Sequence, residues 1–429
     1  MKILVSGTGY VGLVTAVCLA EKGFEIRCFD VVKEKIDMLC NGKSPIYEPK
    51  LEDLMKKNKD KIMYTDNKKE AYKDVDVIFI GVGTPEKADG SANLDYVYAV
   101  ADDIAENINR DCLVVIKSTV PVGTNYMIEK YIRSKVVGDY RVEVASNPEF
   151  LSQGTAVRDT LEAKRIVIGT HSEWSESILK KIYENFNKSV IVSTDICSAE
   201  MIKYASNDFL ALKISYMNDI ANLCELVGAN IEEVAKGMSY DPRIGSSFLR
   251  AGIGYGGSCF PKDTKALKYL ANKNGYRLRT VEAAVEVNYE QKTKLFKKAS
   301  DRLITFNGLK VAVLGLTFKP GTDDLREAPS IDNIKLLLEQ GANVYAYDPV
   351  GEENFKKIYP TQINYVSTPE EALKEANVCF VFTEWNEIKS MDINLYKKLM
   401  KTPLVYDGRN IYDIDQMKEI GVEYYSIGR

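Results

Sequence analysis

Short apolar runs alternate with amphipathic segments through the first third of the chain. Runs with the composition of β-strands lie at 2–6, 25–29, 75–81, 112–117, 142–145 and 165–168. Between them apolar residues recur with helical spacing, as at 13–22 and 33–39. Because strands that alternate with helices favour a parallel sheet covered on both faces, this pattern predicts a doubly wound α/β domain.

The hydrophobic pattern changes after about residue 195. Apolar residues then recur every three or four positions from 198 to 226, which predicts one long helix, and helical patterns continue to about 303. Strand-like runs return at 310–315, 343–347, 377–383 and 404–406. The chain is therefore predicted to have three parts: an α/β domain at 1–197, a helical connector at 198–303 and a second α/β domain at 304–429.

Composition narrows the class of protein. The 429 residues carry 57 Lys and Arg against 61 Asp and Glu, so nothing basic suggests nucleic acid or an anionic membrane as a partner. No apolar run reaches the roughly 18 residues of a membrane span, and the first residues lack the layout of a signal peptide. The eight cysteines form no C-x-x-C pair. We therefore expect a thiol-reduced, cytoplasmic protein.

Histidine is the scarcest of the residue types that commonly act in catalysis, with His171 as its single copy. One histidine excludes a zinc site built from several, and no metal is expected. His171 follows an apolar run in Gly-Thr-His-Ser-Glu and is predicted to lie in a surface loop. Acid–base chemistry is therefore expected from other residues.

The first predicted strand leads into Gly7-Thr-Gly9-Tyr10-Val11-Gly12, which matches G-x-G-x-x-G and opens an apolar helix. In a dinucleotide-binding turn the first glycine allows the tight turn, the second lets a pyrophosphate approach and the third permits close helix–strand packing. Asp30 ends the second predicted strand, 18 residues after Gly12. An acidic residue there binds ribose hydroxyls and repels a 2′-phosphate, so the pattern predicts NAD and not NADP. The alternative is a structural turn without a nucleotide.

The equivalent turn of the second α/β domain lies at 315–321 and lacks the triple-glycine spacing. Lys319 stands where a close phosphate approach would need glycine, so a second dinucleotide is not expected. Lys319 and Arg326 indicate instead a different phosphorylated ligand. Surface charge is the alternative.

The stretch 252–263 is the strongest candidate for covalent chemistry. Four glycines within six positions exclude a stable helix and predict a loop shaped for close backbone approach. Pro261 and Asp263 then suit the first turn of a new helix, which places Cys259 at its positive end and next to Lys262. Both neighbours favour the nucleophilic thiolate. A buried cysteine in a turn is the alternative.

A cysteine nucleophile in a dehydrogenase indicates a four-electron oxidation of an alcohol, through a thiohemiacetal and a thioester, to an acid. On the predicted long helix, Lys203 and Asn207 are four residues apart and share a face. An ammonium and an amide placed there can donate to a developing alkoxide. The same pair is equally typical of a solvated helix face.

Seven stretches spread over nearly the whole chain carry a resemblance to a known family. They are 7–12, 44–49 (Ser-Pro-Ile-Tyr-Glu-Pro), 81–85 (Gly-Val-Gly-Thr-Pro), 118–123 (Ser-Thr-Val-Pro-Val-Gly), 147–151 (Asn-Pro-Glu-Phe-Leu), 254–263 with its Gly-Gly-Ser-Cys-Phe-Pro-Lys-Asp, and 318–319. In these motifs the chain resembles the UDP-glucose 6-dehydrogenases, within the wider group of nucleotide-sugar dehydrogenases. We therefore expect two Rossmann-like doubly wound parallel-sheet domains joined by a long central helix and a helical connector, with NAD as cofactor and UDP-glucose as substrate.

The resemblance also implies roles for individual residues. Cys259 resembles the nucleophile, and Lys203 and Asn207 resemble the pair that stabilises oxyanions, with Lys203 assisting proton removal. The groups that handle the hydrolytic water are implied to be Asp263, Thr119 and Glu149. Contacts with NAD are implied for Gly7, Gly9, Tyr10, Val11, Gly12, Asp30, Lys35, Thr84, Thr119 and Arg326. The nucleotide-sugar site is implied at Glu149, Phe150, Leu151, Lys203, Asn207, Arg243, Phe248, Leu249, Arg250, Tyr255, Gly256, Phe318 and Lys319.

Gln153 departs from the family, which commonly has an acidic residue near the cofactor at this position, and that contact is not carried over. Arg243 matches an arginine that reaches the substrate of the neighbouring subunit, so the long apolar helix is expected to form a homodimer interface. Close relatives oxidise GDP-mannose or UDP-N-acetylhexosamines by the same route. Two further classes stay open: a two-electron 3-hydroxyacid or 6-phosphogluconate type dehydrogenase, and a nucleotide sensor that yields no NADH.

Overall fold

The computed structural model describes residues 1–186 and 189–429 of the chain. The chain divides into two compact units, Met1–Ser206 and Asn207–Arg429. Among the described residues, no helix has both the length and the apolar character needed to cross a bilayer. In the same part of the chain, no group of three or more His, Cys, Asp or Glu residues is placed to hold a metal ion.

The first unit contains a sheet of eight strands in its described residues. The strands are β1 (Ile3–Ser6), β2 (Ile26–Phe29), β3 (Ile62–Thr65), β4 (Val77–Ile80), β5 (Cys112–Ile116), β6 (Val142–Ser146), β7 (Arg165–Gly169) and β8 (Val190–Thr194). The helices are α1 (Tyr10–Glu21), α2 (Lys33–Cys40), α3 (Leu51–Lys57), α4 (Lys68–Tyr72), α5 (Asp95–Asn107), α6 (Thr124–Lys135), α7 (Ala156–Leu161), α8 (Glu173–Tyr183) and α9 (Ile196–Val227), which ends in the second unit.

The strand order β3-β2-β1-β4-β5-β6-β7-β8 places β1 and β4 inside the sheet, with a hydrophobic core on each face. Ile3 and Val5 pack in the core that contains α1 residues. Leu4 and Ile78 pack in the other core, with residues of α5 and α6. Because both faces are covered, every residue of these strands is buried, which explains their continuous apolar runs.

The sheet differs from the sequence prediction in two ways. β7 pairs with β6 in the antiparallel sense, through Ser146 and Gly169, whereas the prediction was a wholly parallel sheet. Strands β3 and β8 were not among the predicted runs. They form the two edges of the sheet and are partly exposed, so they lack the continuous burial that marks the central strands.

The second unit contains a smaller sheet. Its strands are β9 (Lys310–Leu314), β10 (Asn343–Tyr347), β11 (Asn364–Tyr365), β12 (Val378–Val381), β13 (Leu404–Asp407) and β14 (Glu423–Tyr425). Its further helices are α10 (Ile231–Ser239), α11 (Phe260–Lys273), α12 (Arg279–Gln291), α13 (Lys294–Arg302), α14 (Pro329–Glu339), α15 (Glu352–Phe355), α16 (Pro369–Leu373), α17 (Asn386–Lys389), α18 (Asn394–Leu399) and α19 (Ile414–Glu419).

The two sheets share one topology. The order β11-β10-β9-β12-β13-β14 repeats that of the first six strands of the first unit, and its neighbouring strands are parallel. This is the order of a Rossmann fold, so the predicted fold class is confirmed for both α/β domains. The long helix is confirmed as α9, whose 32 residues include the predicted 198–226. The three-part division with boundaries at 197/198 and 303/304 stays a prediction.

Candidate active site

The turn between β1 and α1 has the geometry of an anion site. α1 begins at Tyr10, directly after Gly9, and no side chain caps its first backbone N–H groups. A Cβ atom on Gly12 would lie 1.9 Å from the Gly7 carbonyl oxygen, so helix and turn are in direct contact. A Cβ atom on Gly9 would meet no described atom within 4 Å. The turn therefore leaves room for a pyrophosphate at the positive end of α1, and its residues fit a dinucleotide.

Asp30 lies directly after β2 and is tied to the same turn. Its Oδ2 accepts hydrogen bonds from the Thr8 backbone N–H at 2.8 Å and the Thr8 hydroxyl at 2.7 Å, and its Oδ1 accepts one from Val32 at 3.0 Å. Burial raises the pKa of this carboxyl, but the Thr8 and Val32 hydrogen bonds and the charge of Lys35 lower it, and the net shift is downward. Asp30 is therefore charged at neutral pH, as selection for NAD requires. Thr8 holds the Asp30 carboxylate in place through these two hydrogen bonds, a role that the G-x-G-x-x-G spacing did not indicate.

Four further predicted cofactor residues of the first unit make contacts at or near this turn or in the loops after β4 and β5. Lys35 Nζ is 3.7 Å from Asp30 Oδ2. The Thr84 hydroxyl donates to the Thr119 carbonyl at 2.8 Å, which joins the loops that follow β4 and β5. The Tyr10 hydroxyl donates to the Glu48 carboxylate at 2.9 Å and so holds the 44–49 motif against the start of α1. These residues lie at the carboxyl ends of the strands, where ligands bind in such sheets.

Lys203 and Glu149 form a buried ion pair. Lys203 Nζ lies 2.9 Å from Glu149 Oε1, and the two side chains are only 3% and 6% exposed. The other oxygen of Glu149 accepts a hydrogen bond from the Leu151 N–H at 2.8 Å. The ammonium also lies 5.5 Å from the centre of the Phe150 ring. The structure thus brings four predicted site residues together, and Lys203 does not lie on a solvated helix face.

A cavity of about 450 Å³ adjoins this ion pair in the first unit. Its lining includes Glu149, Phe150 and the buried Lys117. Lys117 donates to the side-chain and main-chain oxygens of Asn147 at 3.1 and 3.3 Å. Burial lowers the pKa of Lys117 to about 8, although the charge of Glu149 opposes this shift. Sequence analysis missed this lysine, whose only signal was its position at the end of an apolar strand.

In the second unit, Cys259 precedes α11 and is partly exposed. Pro261 and Asp263 lie in the first turn of that helix, as predicted, and the Asp263 N–H donates to the Cys259 carbonyl at 2.9 Å. The thiol therefore stands at the positive end of a 14-residue helix, which favours the thiolate. By contrast, burial raises the pKa of the Cys18 thiol to about 12, so that cysteine is a core residue.

The charged groups beside Cys259 form a network that was not predicted. The Lys262 ammonium is hydrogen-bonded to Asp263 Oδ1, and its predicted effect on the thiol stays a prediction. Asp263 is fully buried, and its Oδ2 accepts a hydrogen bond from Asn207 Nδ2 at 2.7 Å. The structure therefore joins Asn207, Asp263 and Lys262 in one network at the start of α11.

Arg326 supplies a positive charge near the thiol. Burial lowers the pKa of its guanidinium, but hydrogen bonds to Asp324 and the negative charge of Cys259 raise it, and the net shift is upward. The attraction is mutual, so Arg326 favours the Cys259 thiolate. The sequence associated Arg326 with NAD and with a phosphorylated ligand; its effect on the thiol was not predicted because the two residues are 67 positions apart.

Two predicted nucleotide-sugar stretches meet inside the second unit. A Cβ atom on Gly256 would lie 2.4 Å from the Glu327 carbonyl oxygen and 3.1 Å from Phe318 Cβ, so the backbones are in direct contact. Tyr255 is buried, and its N–H donates to Asn288 Oδ1 at 2.7 Å. The glycine loop and the stretch that begins at 318 therefore form one continuous region.

The other predicted substrate residues of this unit lie at different depths. Leu249 is buried, whereas Phe248 is 41% exposed and has a positive φ of 63°. Arg250 donates to the carbonyl oxygen of Arg409 at 2.6 Å. The Lys319 ammonium lies 5.5 Å from the centre of the preceding phenylalanine ring. These positions are compatible with the predicted roles, which stay predictions.

Arg409 is a structural residue of this region that sequence analysis missed. Its guanidinium donates to three carbonyl oxygens, those of Phe382 at 2.8 Å, Phe318 at 3.0 Å and Gly254 at 3.3 Å. It therefore joins the glycine loop to the second sheet. The only sequence signal was an arginine two residues after β13.

Two predicted residues lie at the surface. Arg243 has an 88% exposed side chain that pairs with Asp241 at 2.6 Å, so its predicted reach into a neighbouring subunit stays a prediction. His171 lies in a bend after β7 and is exposed, as predicted. Its Nε2 is 3.7 Å from Glu129 and 4.0 Å from Glu143.

Comparison with known proteins accounts for most of the chain. Three models of the UDP-glucose/GDP-mannose dehydrogenase family match: its NAD binding domain at residues 1–187, its central domain at 197–290 and its UDP binding domain at 312–414. The chain is 48% identical to UDP-glucose 6-dehydrogenase YwqF of Bacillus subtilis, over all of this chain and 98% of that protein. It is 45% identical to UDP-glucose 6-dehydrogenase of Rhizobium meliloti, over the full length of both.

Solved structures agree with these sequence relatives. A UDP-glucose dehydrogenase from Pyrobaculum islandicum superposes with a TM-score of 0.92 at 34% identity, covering 99% of this chain and 96% of that one. A UDP-D-ManNAc dehydrogenase from Pyrococcus horikoshii gives 0.89 at 28% identity, covering 100% and 99%. The chain therefore belongs to the UDP-glucose/GDP-mannose dehydrogenase family and is an oxidoreductase whose cofactor is NAD, as its glycine turn and Asp30 predicted.

Proposed function

We propose that this enzyme oxidises UDP-glucose to UDP-glucuronate in a four-electron reaction that reduces two NAD. The proposal is supported by relatives of 40–48% identity along the whole chain, which are UDP-glucose 6-dehydrogenases. The observation that carries it is Cys259 at the N-terminus of α11, within the field of Arg326. An aldehyde that must be oxidised again needs a nucleophile to capture it, whereas a single alcohol oxidation does not.

The turn at 7–12 and Asp30 would hold the cofactor. The open space at Gly9 fits the pyrophosphate, and the Asp30 carboxylate fits the ribose hydroxyls. When bound there, NAD supplies the acceptor for a hydride. Thr8 keeps Asp30 charged and in place, because it donates two hydrogen bonds to one carboxylate oxygen.

The first oxidation converts the C6 alcohol to an aldehyde, with loss of a hydride from carbon and a proton from oxygen. Lys203 assists removal of the hydroxyl proton, and Lys203 and Asn207 donate to the oxygen as negative charge develops. The Cys259 thiolate then adds to the carbonyl carbon: a C–S bond forms, the C=O π bond opens and the oxygen is left as the alkoxide of a thiohemiacetal. Loss of a second hydride from that carbon leaves a thioester.

Hydrolysis completes the reaction. A water molecule adds to the thioester carbon, the C–S bond breaks and the thiolate leaves, which releases the acid. The resemblance implies Asp263, Glu149 and Thr119 as the groups that handle this water. A carboxylate, Asp263 or Glu149, can accept its proton in place of a histidine base, and the Thr119 hydroxyl can only orient it. One alcohol, two NAD⁺ and one water thus give one acid, two NADH and two protons.

The yield of NADH tests this function. The wild type should form about two NADH per UDP-glucose consumed, and Cys259→Ser should bind UDP-glucose but form no acid, because the aldehyde cannot be captured. Cys40→Ser is the matched control, since Cys40 is an exposed cysteine outside the site. One NADH per substrate would favour a two-electron dehydrogenase, and faster turnover of GDP-mannose or a UDP-N-acetylhexosamine would reassign the sugar. Unchanged turnover by Cys259→Ser would refute the role of the thiol.

We also propose that the enzyme is a homodimer that uses α9 as its interface. Phe209, Tyr216 and Leu223 recur every seven residues along this helix, and these residues are 61%, 53% and 52% exposed. A seven-residue spacing keeps them on one helix face. An apolar stripe of this kind is typical of a surface that a second copy covers. In such a dimer, Arg243 would reach the substrate of the neighbouring subunit.

The state of the cysteines bears on the compartment in which the enzyme works. All eight cysteines are free thiols, which suits a reducing compartment such as the cytoplasm. We propose that the enzyme works there and supplies UDP-glucuronate for polysaccharide biosynthesis. Its partner in this reaction is a small-molecule substrate.

A further inference from the structure

The carboxyl group of Asp208 has no assigned role, although it directly follows Asn207 on α9. The residue is 4% exposed. Neither of its carboxyl oxygens has a hydrogen-bond partner in the part of the chain that the structure describes. An ionised carboxylate is costly in such surroundings, because burial removes its hydration and nothing replaces it.

The groups that face Asp208 come from two other elements. Asp263 of α11 is the charged group that acts on it most strongly, and Tyr255 of the glycine loop interacts with it as well. The Asp263 carboxylate accepts the hydrogen bonds of this cluster, from the Asn207 amide and the Lys262 ammonium. Burial and the like charge of Asp263 together raise the pKa of Asp208 to about 8.

We propose that Asp208 carries a proton and is neutral in the folded enzyme, because it is buried without a hydrogen-bond donor among the described residues, near the Asp263 carboxyl that accepts from Asn207 and Lys262. Two carboxyls in one buried cluster cannot both be charged at low cost, so one of them keeps its proton. The hydrogen bonds determine which of the two carboxyls keeps the proton. Asp263 accepts hydrogen bonds from two donors, whereas no described residue donates to Asp208, so the proton is assigned to Asp208.

The inference rests on the proposed function, in which Asn207 donates to the developing oxyanion. One N–H of its amide is used by Asp263, and a proton on Asp208 keeps a second negative charge away from this donor. When Asp208 loses that proton, the added charge opposes the oxyanion and slows both hydride steps. Asp208 is therefore a positioning residue whose neutral form adds no negative charge beside Asn207 and Asp263.

The pH profile of Asp208→Asn tests this role in turnover. Asn matches a protonated carboxyl in size and stays neutral, so the variant should keep its rate near pH 7. With an apparent pKa near 8, the wild-type kcat should fall about tenfold by pH 9, and the variant should lack this decline. Asp219→Asn, an exposed aspartate on the same helix, is the matched control and should decline like the wild type. An unchanged alkaline decline in Asp208→Asn would overturn the proposal.

Thermal unfolding of the enzyme without ligands separates this inference from the proposed function. Because the folded pKa of Asp208 is raised, the folded state keeps a proton that the unfolded state releases above about pH 4. Its contribution to stability is therefore complete at low pH and is lost as the pH rises toward about 8. The midpoint of Asp208→Asn should thus rise relative to the wild type between pH 5 and pH 9. A constant difference, or a variant that does not fold, would contradict a neutral Asp208.

Discussion

The glycine turn offers a test in which stability and cofactor affinity separate. Gly9→Ala and Gly12→Ala each add one methyl group to the same turn. At Gly12 the new carbon would lie 1.9 Å from the Gly7 carbonyl oxygen, so the start of α1 has to move away from β1. At Gly9 the new carbon meets no described atom within 4 Å, so it enters the open space that we assign to the pyrophosphate.

The expected magnitudes follow from these contacts. A methyl group forced into a packed contact costs about 1–3 kcal/mol. In a unit of about this size each kcal/mol lowers the thermal midpoint by about 2–4 °C, so Gly12→Ala should unfold about 2–12 °C earlier. Gly9→Ala should change the free energy of unfolding by less than about 0.5 kcal/mol. It should nevertheless weaken NAD binding about tenfold or more, since the methyl group displaces the pyrophosphate.

Circular dichroism gives the two midpoints, and isothermal titration calorimetry gives the dissociation constants for NAD. The control is Gly228→Ala in the second unit. An added Cβ atom there likewise meets no described atom within 4 Å, and the φ of 75° makes alanine strained at this position. It should lose stability and keep its affinity for NAD. Wild-type affinity in Gly9→Ala would refute the assignment of this space to the pyrophosphate. Wild-type stability in Gly12→Ala would refute the tight contact.

Two further predictions concern the ribose and the assembly. Asp30→Asn removes the charge that repels a 2′-phosphate, so the ratio of kcat/KM for NADP to kcat/KM for NAD should rise about tenfold. Asp37→Asn, at an exposed aspartate, is the control and should leave this ratio unchanged. An unchanged ratio in Asp30→Asn would exclude a role of Asp30 in cofactor selection. Phe209→Glu places a charge on the stripe of α9, so light scattering at micromolar concentration should change from the mass of two chains to that of one. Tyr289→Glu, also at a highly exposed ring, should remain dimeric, and a monomeric wild type would rule the interface out.

The strands show how far periodicity alone reaches. β1 and β4 were predictable because helices cover both of their faces, which leaves a continuous apolar run in the sequence. β3 and β8 lie at the sheet edges, where partial exposure weakens that signal. The antiparallel pairing of β7 was not predictable either, because the direction of a strand depends on the path of the chain and not on the strand's own residues.

The candidate site likewise contains residues that the sequence could identify and residues that it could not. The turn at 7–12, Asp30 and the start of α11 at Cys259 were predictable, because each depends on residues close together in the chain. Lys117 and Arg409 were missed, because a lysine or arginine after a strand is ordinary in sequence and significant only when burial is known. The hydrogen bond between Lys262 and Asp263 was not predicted, because the rotamers that bring these two side chains together cannot be known from the sequence.

By itself, the sequence determined the alternation of strands and helices, the position of the glycine turn and the choice of Cys259 as the candidate nucleophile. These depend on backbone preferences and side-chain periodicity, which act over a few residues. Only the tertiary structure decided the charges around Cys259: that Arg326 interacts with the thiol, that Asp263 accepts from Asn207 and Lys262, and that the described residues offer Asp208 no donor. The physical reason is that a charge responds to burial and to distance in space, and chain separation fixes neither.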